Sequence, residues 1–398
     1  MQSQIAELST GGDCKLGDPL TQTTTRYYPI VLVPFVVIIL GLSGVTIHSP
    51  ILGVRLLFDE HDISVYFRSS RWIFGEGTLF RDVASEYPLL TNLVFGTWRC
   101  VASAVNRDQL TFEYVWVVSA SVLYLYAVCR VASATSRLAT ITWLAPAPIY
   151  FALLRYDIYP ATATLLAMLA IRRDAYIAGA FWLGIAAALK GYALCLLPAY
   201  FVFIFCRRDL KAAISCAAIV IGPMLLCLLA SFIFAGWEGM LAPFRLQAGR
   251  EFNGESLYDA VNYLLVSQVK AKEIPLLPLL LQLSSALIAA AMCPRKFQDL
   301  VNAFLFAVLG FITFSPFYSP QFVLWILPLV AFSDQRAMLI SAIGFSWLTY
   351  FYFPIVYDLT KHRPGLAQMP FQAVVVATTA LRLLMMGLAI KHSGKKLQ

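Results

Sequence analysis

The feature that most constrains this chain is the recurrence of apolar runs almost free of charge. Tyr27 to Ile47 carries no charged residue, and similar runs return at 112–129, 138–154, 158–171, 175–189, 191–206, 212–235, 275–292, 299–315, 320–332, 337–356 and 369–390. A helix needs about 20 apolar residues to cross a bilayer, fewer where the bilayer thins. Helices also satisfy their backbone polar groups internally, which the hydrocarbon interior demands. The expected fold is therefore all-α and polytopic, with about 12 transmembrane helices. Composition agrees: charged residues make up 13% of the 398, where a soluble domain has about 25%.

Residues 88–105 are the ambiguous stretch, apolar but opened by Pro88 and interrupted by Arg99. Charge decides how to read them, because basic residues gather on the cytoplasmic side. If 88–105 lies at the interface without crossing, Arg130, Arg137, Arg172, Arg173, Arg207, Arg208, Arg295, Lys296 and Arg336 all fall inside with both termini. The short outer loops then hold only Arg155, Lys190, Lys361 and Arg363. If 88–105 crossed, the Arg172–Arg173 and Arg207–Arg208 pairs would move outside. The reading is a cytoplasmic tail over 1–26, a membrane domain over 27–390 and a basic cytoplasmic tail over 391–398. Within the membrane domain, 48–111 forms the first exoplasmic loop and 236–274 a second long one. Tyr27–Ile47 is too long for a signal-peptide core and is read as a retained span.

Several function classes lack their signatures. No GxxxxGK[ST], GxSxG or HExxH pattern occurs. No basic stripe or aromatic-basic module points to nucleic acid. The eight cysteines form no CxxC pair and read as small packing residues, with neither a disulfide framework nor a zinc pattern. On this topology the unusual polar residues converge on the outer face. That suits an enzyme at the membrane interface better than a transporter, which more often places charge at mid-membrane.

The densest polar stretch is 58–88, with Asp59, Glu60, His61, Asp62, Arg81, Asp82 and Glu86. Asp62 is placed to cap a helix running through Phe74, with Ile63, Tyr66, Phe67, Ile73 and Phe74 on a ragged apolar face and Gly75 and Gly77 ending it. Such a helix can lie flat among the headgroups. Arg155 and Lys190 sit at outer ends of spans, as snorkelling cations or as phosphate ligands. Asp157 reads either as a cap or as a site residue. Tyr318, Gln321 and Trp325 fit either a substrate groove or an aromatic belt.

The ordered motifs carry a resemblance. Glu60-His61-Asp62 with Tyr66, then Gly77 to Asp82 and Glu86-Tyr87-Pro88-Leu89, resembles the first exoplasmic loop of the GT-C superfamily of membrane glycosyltransferases. Leu154-Arg155-Tyr156-Asp157-Ile158-Tyr159-Pro160, the Gly179 to Lys190-Gly191-Tyr192 span and Ser315-Pro316 to Pro320-Gln321-Phe322 with Trp325 match later segments in order. The set spans roughly 27–333 and is most similar to the polyprenyl-phosphate-mannose-dependent α-mannosyltransferases of glycosyltransferase family 87. It also resembles the catalytic subunit of the first GPI mannosyltransferase. Ala193 stands where that family has proline after Lys-x-Tyr, and Glu60-x-Asp62 replaces the commoner Asp-x-Asp.

The resemblance implies transfer of a hexose, mannose first, from a polyprenyl-phosphate-sugar donor to a glycan or glycolipid acceptor. The reaction would run on the exoplasmic face of a multi-pass protein, by default in the bacterial inner (plasma) membrane, with inversion. A lipid phosphate is already a good leaving group, so the demand is for one base and for cations on the departing phosphate. The family position makes Asp62 the base and Glu60 its companion. Arg155, Lys190, Arg245 and Arg250 are the phosphate candidates. Asp59, Tyr66, Glu86, Tyr87, Asp157, Tyr192, Glu255, Tyr318 and Gln321 are the substrate-binding candidates. No cofactor is required; a divalent cation is compatible with this chemistry but not indicated, and no metal ligand is assigned. The partners implied are the donor, the acceptor and the bilayer, with no nucleic acid. Transport or flipping of a lipid-linked sugar, and a non-catalytic role in a glycosylation complex, are the alternatives.

Overall fold

The structure is a computed structural model that describes residues 61–248, 251–265, 270, 273–362 and 364–393. The expected span over 27–47 and the candidates Asp59, Glu60 and Arg250 lie outside the described residues. Among those described, the chain is all-helical and without a strand.

The described residues open with α1, His61–Ser69. The apolar face expected to continue to Phe74 does not form one helix. Ser69 and Ser70 end α1, and the Ser70 hydroxyl turns back to donate to the Phe67 carbonyl at 2.8 Å. A separate 3-10 turn, Arg71–Phe74, follows and closes on Gly75 at φ 78°, a left-handed conformation that glycine adopts without strain. Asp62 lies within the first turn of α1 rather than ahead of it, where its charge still meets the positive end of the helix dipole.

Helix α2, Leu89–Ser103, occupies the ambiguous stretch and packs against α1. Its Arg99 guanidinium sits 3.4 Å from the centre of the Phe67 ring. Next come α3, Gln109–Ala134, and the bent pair α4, Arg137–Trp143, and α5, Pro146–Leu154. Helices α6, Ile158–Arg172, and α7, Tyr176–Leu189, pack on each other. A 3-10 turn over Gly191–Leu196 leads into α8, Leu197–Arg207. Helix α9, Leu210–Ala248, runs beyond the apolar stretch read from sequence, with a break at Gly236. Residues 236–248, expected to start a long loop, are therefore helical. The chain continues through α10, Leu257–Leu265, before α11, Leu277–Ala291, and α12, Phe297–Thr313. A 3-10 turn at Pro320–Phe322 opens α13, Val323–Val330. Helix α14, Arg336–Tyr350, passes through a π-helical segment, Phe351–Val356, into α15, Tyr357–His362, and α16, Pro364–Ser393, completes the fold.

Among the described residues, four helical stretches are long and apolar enough to cross a membrane: Gln109–Ala134, Leu210–Gln247, Arg336–Thr360 and Gln368–Lys391. The α4–α5 pair, bent by 50°, makes a fifth if taken as one broken span. The other described apolar runs form helices of 10–17 residues, and these include the largely buried α12 and α13. The chain thus has the character of a membrane protein. Many of its leucines, isoleucines and phenylalanines on α9 and α11 are exposed, as lipid-facing residues would be.

The centre is built from close-approaching helices. At Gly184 on α7, a Cβ would come within 2.8 Å of the Ile219 carbonyl oxygen and 2.9 Å of the Val220 carbonyl oxygen on α9. Glycine is what lets these two backbones touch.

Candidate functional site

The three residues Arg155-Tyr156-Asp157 link α5 to α6, and the site is assembled on them. Arg155 is extended at the C-terminus of α5, with its backbone N–H on the Phe151 carbonyl. Asp157 already has helical geometry at the start of α6. Two opposite charges are therefore fixed two positions apart, between helices that are almost wholly buried.

Helix α1 meets this link through residues one turn apart, Asp62 and Tyr66, which share a face. The Asp62 carboxylate forms an ion pair with Arg155 at 3.1 Å; the arginine side chain is 5% exposed and the aspartate 24%. The Tyr66 hydroxyl accepts the Tyr156 backbone N–H at 3.3 Å. The Tyr66 ring stacks on Phe95 of α2 at 4.4 Å and meets Tyr87 and Tyr156 edge-on. Burial, reinforced by the Asp62 charge, pushes the Tyr66 phenol well above its ordinary range, so it stays a neutral hydrogen-bonding group. Tyr66 and Tyr87, expected to bind substrate, are both buried in this aromatic cluster and hold α1 and α2 against the link.

On the other side, Lys190 ends α7 in an extended conformation and reaches the link. Its Nζ donates to Asp157 Oδ1 at 2.7 Å. The same oxygen accepts Trp325 Nε1 of α13 at 2.6 Å. Asp157 is fully buried, so it holds the lysine and tryptophan in place rather than presenting a surface to substrate. The ammonium sits over three aromatic faces: Tyr156 at 4.5 Å, Trp325 at 4.8 Å and Phe322 at 5.7 Å. Tyr192 stacks on Trp325 at 4.3 Å and shares a hydrogen bond with Thr164. With its side chain 19% exposed, Lys190 is, beside Asp62, the second charged group of this set that reaches the surface.

The outcome is an alternating row of charges, Asp62, Arg155, Asp157 and Lys190, braced by aromatic rings. It can present a carboxylate beside a cationic, aromatic-walled recess, which suits a group that carries an acidic proton at one end and negative charge at the other. Next to it, Phe80, Pro88, Leu89, Gly191, Met224 and Phe244 line an apolar groove between the start of α2, the turn after α7, and α9.

The other expected residues fall elsewhere. Arg245 is exposed on α9 and paired with Glu238. Glu86 is half-buried in the loop leading to Tyr87, and Gln321 is half-buried in the turn before α13. Glu255 and Tyr318 are buried in a second polar cluster around Arg382 of α16. Sequence reading placed Trp325 only as a belt or groove residue, and nothing in sequence signalled its bond to a carboxylate 168 positions away. Asn253, Thr349 and Tyr352 were missed. The one available signal was Arg382, a charge inside an apolar run. Among the described residues no group of three or more metal-ligating side chains comes together.

No protein-family model matches the chain, and no curated protein matches it.

Proposed function

We infer that this protein is a membrane glycosyltransferase of GT-C type, with about twelve spans and its site on the exoplasmic side. It transfers a hexose, mannose in first place, from a polyprenyl-phosphate donor to an acceptor hydroxyl. The observation that carries this reading is the Asp62 carboxylate, partly exposed and held beside Arg155, with the aromatic-walled Lys190 across the same three-residue link.

In this reaction the acceptor oxygen attacks the anomeric carbon as its proton passes to Asp62. The bond from that carbon to the phosphate oxygen breaks, and polyprenyl phosphate leaves with the bonding electrons. One base on the face opposite the leaving group gives inversion. Arg155 and Lys190 are the cations that meet the phosphate, and Arg155 turns from Asp62 toward it, which frees the carboxylate to act as a base. Glu60 is assigned as the companion acid. The apolar groove beside Gly191 suits the start of the prenyl tail.

Movement of a lipid-linked sugar across the bilayer is the second reading. It is favoured by Arg382, fully buried in a helix apolar enough to span. Purified protein given labelled polyprenyl-phosphate mannose and a lipid extract as acceptor separates the two. The transferase forms a glycoside, and Asp62→Asn lowers turnover at least about 100-fold, in keeping with loss of a general base. Undiminished turnover in Asp62→Asn removes Asp62 as the base. Transbilayer movement of donor in liposomes without glycoside formation favours transport.

A further inference from the structure

Beyond the Asp62–Lys190 row lies a second set of polar side chains. Arg382 of α16 is fully buried, with its guanidinium 4.1 Å from the centre of the Tyr318 ring. Glu255 comes from the loop before α10, Thr349 from α14, and Tyr352 from the π-helical segment after it. All are at most 7% exposed. Asn253 ties the loops together, donating from its amide to the Tyr318 carbonyl at 2.5 Å and accepting the Tyr318 N–H at 3.3 Å.

These side chains leave five buried polar atoms without a well-formed hydrogen bond: Arg382 Nη1, Glu255 Oε2 and the hydroxyls of Tyr318, Thr349 and Tyr352. Weak, long hydrogen-bond contacts still run from Tyr352 and Asn253 to the Glu255 carboxyl and between Thr349 and Tyr318, so these groups are poorly rather than fully met. Burying a polar group that is poorly met is costly. Five converging from separate helices and loops are therefore a preformed demand for polar atoms from outside the chain.

The character of that demand is specific. Arg382 has already spent Nη2 on the Thr379 hydroxyl at 2.6 Å and Nε on the Thr378 carbonyl at 3.3 Å. Three of its five N–H donors remain, two on Nη1 and one on Nη2, enough to meet several acceptor oxygens. Glu255 would repel an anion when ionised, whereas a hydroxyl can donate or accept and so fits the carboxyl in either state. Burial pushes the Glu255 carboxyl up to about 8, so near neutrality it mostly adds no negative charge. Three hydroxyls, one carboxyl, one guanidinium edge and flanking tyrosine rings match a neutral ring bearing several hydroxyls.

The cluster also adjoins the candidate site. Phe322 meets Tyr318 edge-on at 5.8 Å on one side and touches Trp325 at 4.0 Å on the other. Arg155 lies 5.7 Å from the ring of Phe353, the chain neighbour of Tyr352.

We propose that the Glu255–Tyr318–Thr349–Tyr352–Arg382 cluster is a second binding site, for a neutral polyhydroxylated ring, and that it holds the sugar portion of the acceptor. Its assignment to the acceptor rests on the transferase reading; the binding of a hydroxylated ring does not.

Thermal unfolding of the full-length protein in detergent tests it, with methyl α-mannoside and, separately, inorganic phosphate as probes. The hexoside is expected to raise the midpoint in wild type and in Asp62→Asn alike. Thr349→Val and Tyr318→Phe, which keep side-chain shape, should each weaken the apparent affinity about tenfold, close to one hydrogen bond. In a transfer assay the same two variants should raise the acceptor KM while leaving kcat within a few-fold. Three results overturn the proposal: no stabilisation of wild type, which means the atoms are met by water; stabilisation by phosphate instead of hexoside; or hexoside binding unchanged in both variants. If hexoside binding depends on Thr349 and Tyr318 but no glycoside forms, the binding site stands and the transferase reading falls.

Discussion

Asp157 makes the sharpest residue-scale case, because one buried oxygen carries two jobs. It accepts from Lys190 at 2.7 Å and from Trp325 at 2.6 Å. Trp325→Phe removes a neutral donor and should destabilise the protein by about 1–3 kcal/mol. Lys190→Met strands a buried carboxylate and should cost more, about 3–5 kcal/mol. Adding Asp157→Asn to Lys190→Met should recover part of the loss, and thermal unfolding of the three variants checks this order. Glu255 predicts a pH effect. Its carboxyl is raised from 4.5 to about 8 by burial. Between those values the folded protein binds a proton that the unfolded chain has lost, so its contribution lowers stability as pH rises across that window. Glu255→Gln should flatten the decline, read as unfolding midpoints at pH 5 and pH 8.

At the scale of elements, the contact between α7 and α9 depends on one missing side chain. Sequence showed a glycine-rich span from Gly179 to Gly184, but not which glycine faced a partner. The structure points to Gly184, where a Cβ meets two backbone carbonyls that cannot rotate away. Gly184→Val should push α9 outward and destabilise by about 1–3 kcal/mol. Gly222→Val, where a Cβ meets nothing within 4 Å, is the matched control. Detergent unfolding midpoints of the pair test the interface. Residues 61–75 show why element boundaries were harder to read. Their apolar pattern ran on to Phe74, but α1 ends five residues earlier, where the Ser70 hydroxyl bonds back to the Phe67 carbonyl.

For the whole molecule, the charge bias of the sequence still orients the fold proposed here. On the twelve-span arrangement, Glu76 lies outside and Asp174 inside. In a cysteine-free background, a membrane-impermeant maleimide added to intact cells should label a cysteine at position 76 and not one at 174. Labelling at both would mean that α2 crosses the bilayer. The helices themselves were legible because bilayer chemistry leaves an apolar run little choice: it must satisfy its own backbone. The described apolar runs are helical, although several are shorter than a simple span.

Sequence by itself determined the helical, lipid-facing character of this chain and marked Asp62, Arg155, Asp157 and Lys190 as unusual charges. It could do so because charge is costly among apolar residues wherever it stands. Only tertiary structure decided which charge met which. Asp62 and Arg155 come from α1 and the α5–α6 link, and Asp157, Lys190 and Trp325 from three separate elements. No local periodicity encodes those meetings. They follow from how α6, α7 and α13 pack around one short link, and separate packing of α10, α12 and α14 on α16 brings Glu255 and Arg382 into a common buried cluster.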